Sequence, residues 1–541
     1  MLSLIDQPDG EARAAELYDG RMGIVPYIMP GFALAKKAAD IYGASPAVIG
    51  LILHKHGIFT FGDSAEDAYE RMIEMVSAAE ARLRSGRRAV FATAPLPQAL
   101  LPLADAAPIV RGACALKDAA SGAHRRLILE FRSGDAILNF VNGAEVKRYA
   151  TAGVVTPDHT IRTKNWPLVL EAPQEGRAAD FAASTAAAAA AFMERYRRFF
   201  ARHNVRCGGA KKMLDPLPRV VLVPGLGLFG LGRSKKEAGI AADLAEAAVE
   251  TITGAEAVGR FESITEADMF DCEYWSLEQA KLGAAKELPL AGQIAAITGA
   301  AGTIGAATAR AFAAAGAEIA LLDVDEATAR SAAKSVGGAA LALHCDVTDA
   351  VSVRTAFAAV AEAFGGVDIV VSNAGAAWQG RIGEVDEAIL HKSFDVNFYG
   401  HQRVAQAAVR IMRAQGTGGC LLFNTSKQAI NPGPNFGPYG VPKAATLFLA
   451  RQYALDHGAE GIRANAVNAD RVRSGLLTDA MIAERAKARG LSETEYMSGN
   501  LLGREVTAED VAQAFLAQAL ALKTTADVTT VDGGNIAAAL R

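Results

Sequence analysis

Tyr439 and Lys443 stand four residues apart in the run Tyr439-Gly440-Val441-Pro442-Lys443, the spacing that places two side chains on one face of a helix. An unperturbed phenol titrates near pH ~10, and a neighbouring ammonium favours the phenolate, which turns such a tyrosine into a proton-transfer group. Ser426 lies thirteen positions before Tyr439, after the apolar run Leu421–Asn424, where it can hydrogen-bond a substrate oxygen. Asn397 can then anchor a water-linked proton path to Lys443.

A second constellation lies upstream. The strand-like run Ile294–Ile297 feeds Thr298-Gly299-Ala300-Ala301-Gly302-Thr303-Ile304-Gly305, and a helical pattern follows. This is the context in which backbone amides and a helix N-terminus receive a pyrophosphate, with glycines allowing close approach. A second strand ends at Asp323, eighteen positions after Gly305, where a carboxylate binds ribose hydroxyls and repels a 2′-phosphate. NAD is therefore expected over NADP. Pro224-Gly225-Leu226-Gly227-Leu228-Phe229-Gly230 matches the same glycine pattern but continues as Leu231-Gly232-Arg233 before any helix. It reads as a structural turn, with Arg233, Ser234, Lys235 and Lys236 able to hold an anion at the helix start.

These groups need scaffolds large enough to hold them. The chain has 541 residues, 51% hydrophobic and 21% charged, with 55 Lys plus Arg against 59 Asp plus Glu. That apolar content argues against disorder, and the net charge of -4 argues against binding through phosphate neutralisation. No nucleic-acid partner is expected. The five cysteines form no CxxC pair and no zinc-thiolate spacing, as expected of a reduced, cytoplasmic protein. The start, MLSLIDQPDGEARAAEL, lacks the basic and apolar regions of a signal peptide, and the alanine-rich stretch Ala182 to Met193 is too short to span a membrane. No membrane partner is expected.

The pattern divides the chain into segments 1–87, 88–289 and 290–541. In the last, β-branched runs such as IALLDVD, VDIVVSNAG and CLLFNTS alternate with Ala-rich helical stretches, the mark of a doubly wound parallel sheet. In the first, Val48 to Phe61 reads as strand and turn, followed by a helix from Ser64 to Leu83. The middle segment is expected to be mixed α/β, with strands in RLILEF, AILNFVN and RVVLVPG and helices around Ala182–His203 and Lys235–Thr253.

Segment 290–541 resembles the short-chain dehydrogenase/reductase family. TGAAGTIG is similar to that family's cofactor loop, Asp346-Val347 to its adenine contact, and Asn373-Ala374-Gly375 to its NAG motif. Asn397, Ser426, Tyr439 and Lys443 match its catalytic tetrad, and Val531-Asp532-Gly533-Gly534 its closing strand. The resemblance implies a Rossmann-type domain that holds NAD through Gly299, Gly302, Thr303, Ile304, Gly305, Asp323, Asp346, Val347, Asn373, Ala374, Gly375, Tyr439 and Lys443. It also implies a homo-oligomer, dimer or tetramer, formed through the helices flanking Asn397 and Tyr439. Two positions depart from the family: Thr303 replaces the middle glycine, and Ala469-Asp470 replaces the usual Pro-Gly. Beyond them a charged segment takes the place of the family's substrate lid, with Arg471 and Arg473 able to meet an acidic or hydroxylated substrate.

The N-terminal segment carries Ile52-Leu53-His54-Lys55-His56-Gly57. A His-x-His pair can ligate a metal, and His56-Gly57 resembles the last metal-ligand motif of class II aldolases, which makes His56 a residual ligand. In that family the other histidines and a catalytic glutamate lie upstream, and here only a short histidine-free stretch precedes Ile52. Zinc is therefore expected only if residues outside this chain complete the site. With Thr156-Pro157-Asp158-His159 in the middle, the whole is similar to bifunctional rhamnulose-1-phosphate aldolase/lactaldehyde dehydrogenase proteins of rhamnose metabolism. The expected fold is a partial class II aldolase-like α/β region, a mixed α/β middle and a Rossmann-type domain. The expected function is NAD-dependent oxidoreduction of a small sugar-derived hydroxyl or carbonyl compound, plausibly lactaldehyde. One alternative is an enzyme that also performs metal-dependent aldol cleavage. Another is a non-catalytic sugar-phosphate binding or assembly module.

Overall fold

The computed structural model describes residues 1–87, 90–283 and 287–535, so the segment boundary at position 88 and the last residues, 536–541, lie outside it. Two compact units emerge, each built from separated stretches of sequence. One comprises Met1–Leu101, Glu130–Gly232 and Glu237–Lys286; the other comprises Pro102–Leu129, Arg233–Lys236 and Glu287–Arg541.

In the first unit, Met22–Val25 pairs in parallel with Gly50–Leu53, which turns back as a hairpin onto Gly57–Thr60. The expected helix follows as Ala65–Arg84, its first turn capped by the Ser64 side chain accepting from the Asp67 amide. Further on, Val220–Val223 and Gly227–Gly232 form an antiparallel hairpin. The glycine pattern between 224 and 230 is thus a strand turn, with Gly225 at φ +85° where a Cβ is disfavoured. The run AILNFVN is a helix, Asp135–Val141, and not a strand. Its buried residues Ile137, Phe140 and Val141 recur at the three-and-four spacing of a helix face, a signal that its β-branched composition obscured.

The second unit contains a seven-stranded parallel sheet. Its strands are β1 (Ile294–Thr298), β2 (Glu318–Asp323), β3 (Leu341–His344), β4 (Ile369–Ser372), β5 (Gly419–Asn424), β6 (Ile462–Ala469) and β7 (Val528–Val531). The spatial order is β3-β2-β1-β4-β5-β6-β7. All pairings are parallel. Such a sheet is buried on both faces, and β1, β4 and the centre of β5 are buried at nearly every position. The order reverses between β1 and β4, and at that switch point a crevice opens beyond the carboxyl ends of the strands.

The helix Leu103–Ala113 belongs to this unit, and it supplies an ion pair beneath the sheet. The Arg111 guanidinium meets both oxygens of Asp368, at 3.0 and 2.6 Å, with both side chains about 1% exposed. Asp368 immediately precedes β4 and also accepts from the Ile294 amide of β1 at 2.8 Å. Desolvation would push this carboxyl up, but Arg111 and Arg126 hold it below the usual carboxylate range. Removing one partner leaves a buried charge uncompensated. Arg126 Nε, 3.1 Å from Asp368, still offsets part of that charge, so Arg111→Met should cost about 3 kcal/mol in urea unfolding of the intact protein, whereas Asp368→Leu, which strands both arginines, should cost more. A single variant as stable as the wild type would show that the pair does not hold β4 to β1.

Candidate active site

The first helix after β1 begins at Thr303, with Gly302 as its N-cap, so the loop Gly299–Gly302 presents its amides at a helix N-terminus. Gly299 adopts φ +62°, and a Cβ there would stand 2.8 Å from the Ala374 Cα. Only glycine lets this loop lie so close to the NAG segment. Asn373 ties the two together, donating from Nδ2 to the Thr298 and Gly299 carbonyls at 3.0 and 3.2 Å. Gly305 serves packing, because a Cβ there would meet the Gly299 carbonyl oxygen at 2.3 Å. The departure at Thr303 leaves the turn intact, since Thr303 is simply the first helical residue.

Between the ends of β1, β2 and β4 lies a cavity of about 590 Å³. Gly299, Gly302, Thr303, Ile304, Asp323, Asp346, Val347, Asn373, Ala374 and Gly375 line it, all of them expected from the sequence, whereas Gly305, Tyr439 and Lys443 do not. Asp323 accepts from the Ala301 amide at 2.8 Å and the Asp325 amide at 3.1 Å, which fixes its carboxylate at the rim. Asp346 accepts from the Thr348 hydroxyl and amide at 2.7 and 2.9 Å, and those bonds, the hydroxyl first, hold its carboxyl below the usual range. A glycine cradle at a helix start with an acidic side chain at the next strand end fits a dinucleotide.

A second cavity of about 440 Å³ adjoins the first, with Ile304, Asn424, Ser474 and Leu476 lining both. Ser426 and Tyr439 line it. Burial pushes the Tyr439 phenol up, and a hydrogen bond with the Ser426 hydroxyl opposes that shift. Lys443 lies one turn further along the helix Gly437–His457, its Nζ 5.8 Å from the centre of the Tyr439 ring. Asn397 sits in a single π-helical turn, Asp395–Tyr399, a distortion that is frequent at functional sites. Its side-chain amide donates to the Ala376 carbonyl at 2.7 Å, and its backbone carbonyl accepts from the Thr446 hydroxyl at 2.6 Å. Gly375 separates Asn397 from Lys443, since a Cβ there would stand 3.1 Å from Asn397 Oδ1 and 3.3 Å from Lys443 Nζ. The four tetrad residues thus gather at one place.

One neighbour escaped the sequence reading. His401, about 1% exposed, stands 3.3 Å from Lys443 Nζ through its Nε2. Only its distance of four residues from Asn397 could have drawn attention to it. The arginines after β6 take structural parts. Arg471 donates to the Tyr496 and Gly499 carbonyls, and Arg473 pairs with Glu505 and Asp479, both at 2.6 Å. Asp470, at the departure from Pro-Gly, accepts from Lys427 at 2.8 Å, Arg471 at 3.1 Å and Asn535 at 2.9 Å. A carboxylate therefore ties the chain at this point, where a proline would only stiffen it.

The aldolase-type histidines bind backbone. His56 Nε2 pairs with the Ile28 carbonyl at 2.8 Å and its ring stacks on Tyr27, while His54 Nε2 pairs with the Ile5 carbonyl at 2.9 Å. Among the described residues no group of three or more His, Cys, Asp or Glu side chains gathers to hold a metal. The described residues do not fit a zinc centre. The helix start at Lys235 already has an anion, because its amide donates to the Glu318 carboxylate at 2.7 Å. Among the described residues no helix is long and apolar enough to cross a membrane.

Together the sheet order, the glycine cradle and the Ser426-Tyr439-Lys443 arrangement define a short-chain dehydrogenase/reductase domain. Three family models match: "Class II Aldolase and Adducin N-terminal domain" over residues 2–83, "Aldolase class II, second domain" over 102–282, and "Enoyl-(Acyl carrier protein) reductase" over 299–535. The chain belongs to the oxidoreductases that join class II aldolase domains to a short-chain dehydrogenase/reductase domain. A relative in Bacillus subtilis (strain 168), described as the uncharacterized oxidoreductase YuxG, is 32% identical over 563 residues, covering 100% of this chain and 80% of its own. Over the dehydrogenase part alone, the mitochondrial (-)-isopiperitenol/(-)-carveol dehydrogenase of Mentha piperita is 35% identical over 254 residues, 45% of this chain and 94% of that protein. Galactitol 2-dehydrogenase of Agrobacterium fabrum (strain C58 / ATCC 33970) is 35% identical over 250 residues, 45% of this chain and 97% of that protein.

Burial lowers the Lys443 ammonium from its ordinary 10.5 to about 7. Between these values the unfolded chain binds more protons than the folded one, so this group makes folding more favourable as pH rises through that window. The unfolding midpoint of the cofactor-free protein should gain on that of Lys443→Met between pH 7 and 9. Parallel profiles for the two proteins in thermal denaturation would show that Lys443 is not so perturbed.

Proposed function

We propose that the chain is an NAD-dependent oxidoreductase acting on a small sugar-derived hydroxyl or carbonyl compound such as lactaldehyde. The observation that carries this reading is the junction of the two cavities, one lined by the glycine cradle and the other by Ser426 and Tyr439. Nicotinamide, when bound, supplies or accepts the hydride. Tyr439 exchanges a proton with the substrate oxygen, and Ser426, bonded to the phenol, shares that oxygen and orients it. Lys443 favours the phenolate by its charge. Asn397, bonded to the Ala376 backbone and beside Lys443, keeps the NAG segment in place.

Asp323 at the cavity rim favours NAD, since its fixed carboxylate repels a 2′-phosphate. The polyol named for the galactitol relative agrees with a small hydroxylated substrate, and the second cavity is rich in polar groups: Ser426, Gln428, Asn431, Arg485 and Arg489. Lactaldehyde follows from the resemblance to aldolase/lactaldehyde dehydrogenase proteins, in which one part removes the reactive aldehyde that the other releases. We further propose a cytoplasmic homo-oligomer. The helix Gly437–His457 leaves Phe448 and Leu455 66% and 78% exposed, and Tyr399 beside Asn397 is half exposed, an apolar surface suited to a second copy.

The purified protein should reduce NAD in the presence of lactaldehyde or short polyols, with NAD preferred over NADP. Tyr439→Phe should lose about 10²-fold or more of kcat. Turnover unaffected by Tyr439→Phe would remove that residue from the mechanism, and a preference for NADP would overturn the role of Asp323. Light scattering at micromolar concentration should give a dimer or tetramer; a monomer would defeat the proposed assembly.

A further inference from the structure

Lys443 is fully buried, and no carboxylate pairs with it among the described residues. Its ammonium has three N–H groups. One donates to the Asn424 carbonyl, at the end of β5, at 2.9 Å. The other recorded partner is His401 Nε2 at 3.3 Å. On its far side the same imidazole meets the Ser372 hydroxyl through Nδ1 at 2.6 Å. Ser372 is the last residue of β4 and is 3% exposed, so this chain of contacts is closed to solvent.

The chemistry of the ring fixes the direction of these bonds. In its charged form Lys443 only donates, so Nε2 then accepts from it and carries no proton. In a neutral imidazole the proton then lies on Nδ1, which donates to the Ser372 oxygen. Burial and the adjacent Lys443 charge both push the imidazole well below its usual titration range, which keeps it neutral and able to accept. The groups that face His401 are Ser372 of β4, Lys443 of the helix Gly437–His457, and Phe423 of β5, whose ring centre lies 6.2 Å from the imidazole. None of them is acidic.

We propose that His401 is a positioning residue for Lys443, a neutral acceptor locked by Ser372 that aims the ammonium at the Tyr439 side of the site. Asn397, one turn earlier, has its side-chain amide engaged by the Ala376 carbonyl, its Oδ1 by the Ala376 amide at 3.3 Å and its backbone carbonyl by Thr446. His401 thus makes the direct side-chain contact with Lys443. With two N–H groups directed at Asn424 and His401, the third is left for the tyrosine and a bound cofactor. This inference rests on the dehydrogenase reading of the site.

The test compares His401→Leu, which removes the acceptor, with His401→Gln, which keeps one, in the NAD-linked assay on lactaldehyde and galactitol. A hydrogen bond to a charged group contributes enough that His401→Leu should lower kcat roughly 10- to 100-fold, with KM changed less than about twofold. The limb of the kcat profile on which Tyr439 deprotonates should move up by about one pH unit, because a less firmly charged Lys443 supports the phenolate less well. His401→Gln should restore most of the rate and the profile. A leucine variant with wild-type kcat and pH profile overturns the proposal, while loss of turnover in Tyr439→Phe in the same assay keeps the dehydrogenase reading. Independent of turnover, ¹⁵N-detected histidine spectra of the wild type, assigned by absence in His401→Gln, should show a neutral Nδ1–H ring that does not titrate between about pH 5.5 and 8. A His401 that titrates near the ordinary value overturns the proposal even if neither substrate is turned over.

Discussion

A buried lysine with no carboxylate partner among the described residues, held in a closed interior, is the constraint around which the carboxyl ends of β4 and β5 are arranged. Moving an ammonium out of water costs several kcal/mol unless dipoles replace its hydration. At Lys443 those dipoles are a strand-end carbonyl, Asn424, and the imidazole of His401. Asn424 is itself tied to the cofactor side, its amide donating to Asn373 Oδ1 at 2.7 Å. Asn373 in turn anchors the glycine loop through the Thr298 and Gly299 carbonyls. Asn424 and Asn373 therefore link the ammonium to the dinucleotide cradle, Asn424 by its backbone carbonyl on one side and its side-chain amide on the other. A carboxylate partner would stabilise the ammonium more, but it would also neutralise its charge.

The close approach of backbones makes this linkage possible. Gly299 lies against Ala374, and Gly375 lies between Asn397 and Lys443, so a methyl group at either position would occupy space that the site uses. The sheet beneath is fixed by Asp368, which receives Arg111, Arg126 and the Ile294 amide at the start of β4 and β1. Arg111 comes from a helix some 180 residues before the sheet begins in the sequence, within the span matched by the second aldolase domain model. The dehydrogenase unit thus incorporates a piece of chain that a linear division assigns elsewhere.

What the sequence revealed and what it hid follow from the range of the interactions. The glycine loop, Asp323, the NAG segment and the Tyr439–Lys443 spacing are local patterns whose geometry is set within a few residues, and most of them line the two cavities. The helix Asp135–Val141 was hidden because isoleucine, phenylalanine and valine suit a strand, and only their burial at Ile137, Phe140 and Val141 reveals the helical face. Arg471 and Arg473 were open to a substrate role in one dimension, but three of their partners, Tyr496, Gly499 and Glu505, lie 25 to 32 residues away. His401 meets Ser372 and Lys443 across 29 and 42 residues, distances over which no spacing rule operates.

The aldolase-type part shows the same histidine chemistry turned to a different end. His54 and His56 flank Lys55 in a hairpin turn, with Lys55 at φ +65°. Each imidazole pins the turn to a distant carbonyl, Ile5 and Ile28, while Lys55 Nζ donates to the Glu262 carbonyl at 2.6 Å. Burial lowers both imidazoles below their usual value, so both favour the neutral form. A neutral imidazole has one donor and one acceptor nitrogen, and a backbone carbonyl claims the donor. The remaining nitrogen of His56 is a single ligand, and a metal centre needs several converging at about 2 Å. A hairpin that is a complete structural element in this unit can therefore contribute one ligand, whereas Asn397, Ser426, Tyr439 and Lys443 all come from the described residues of a single unit.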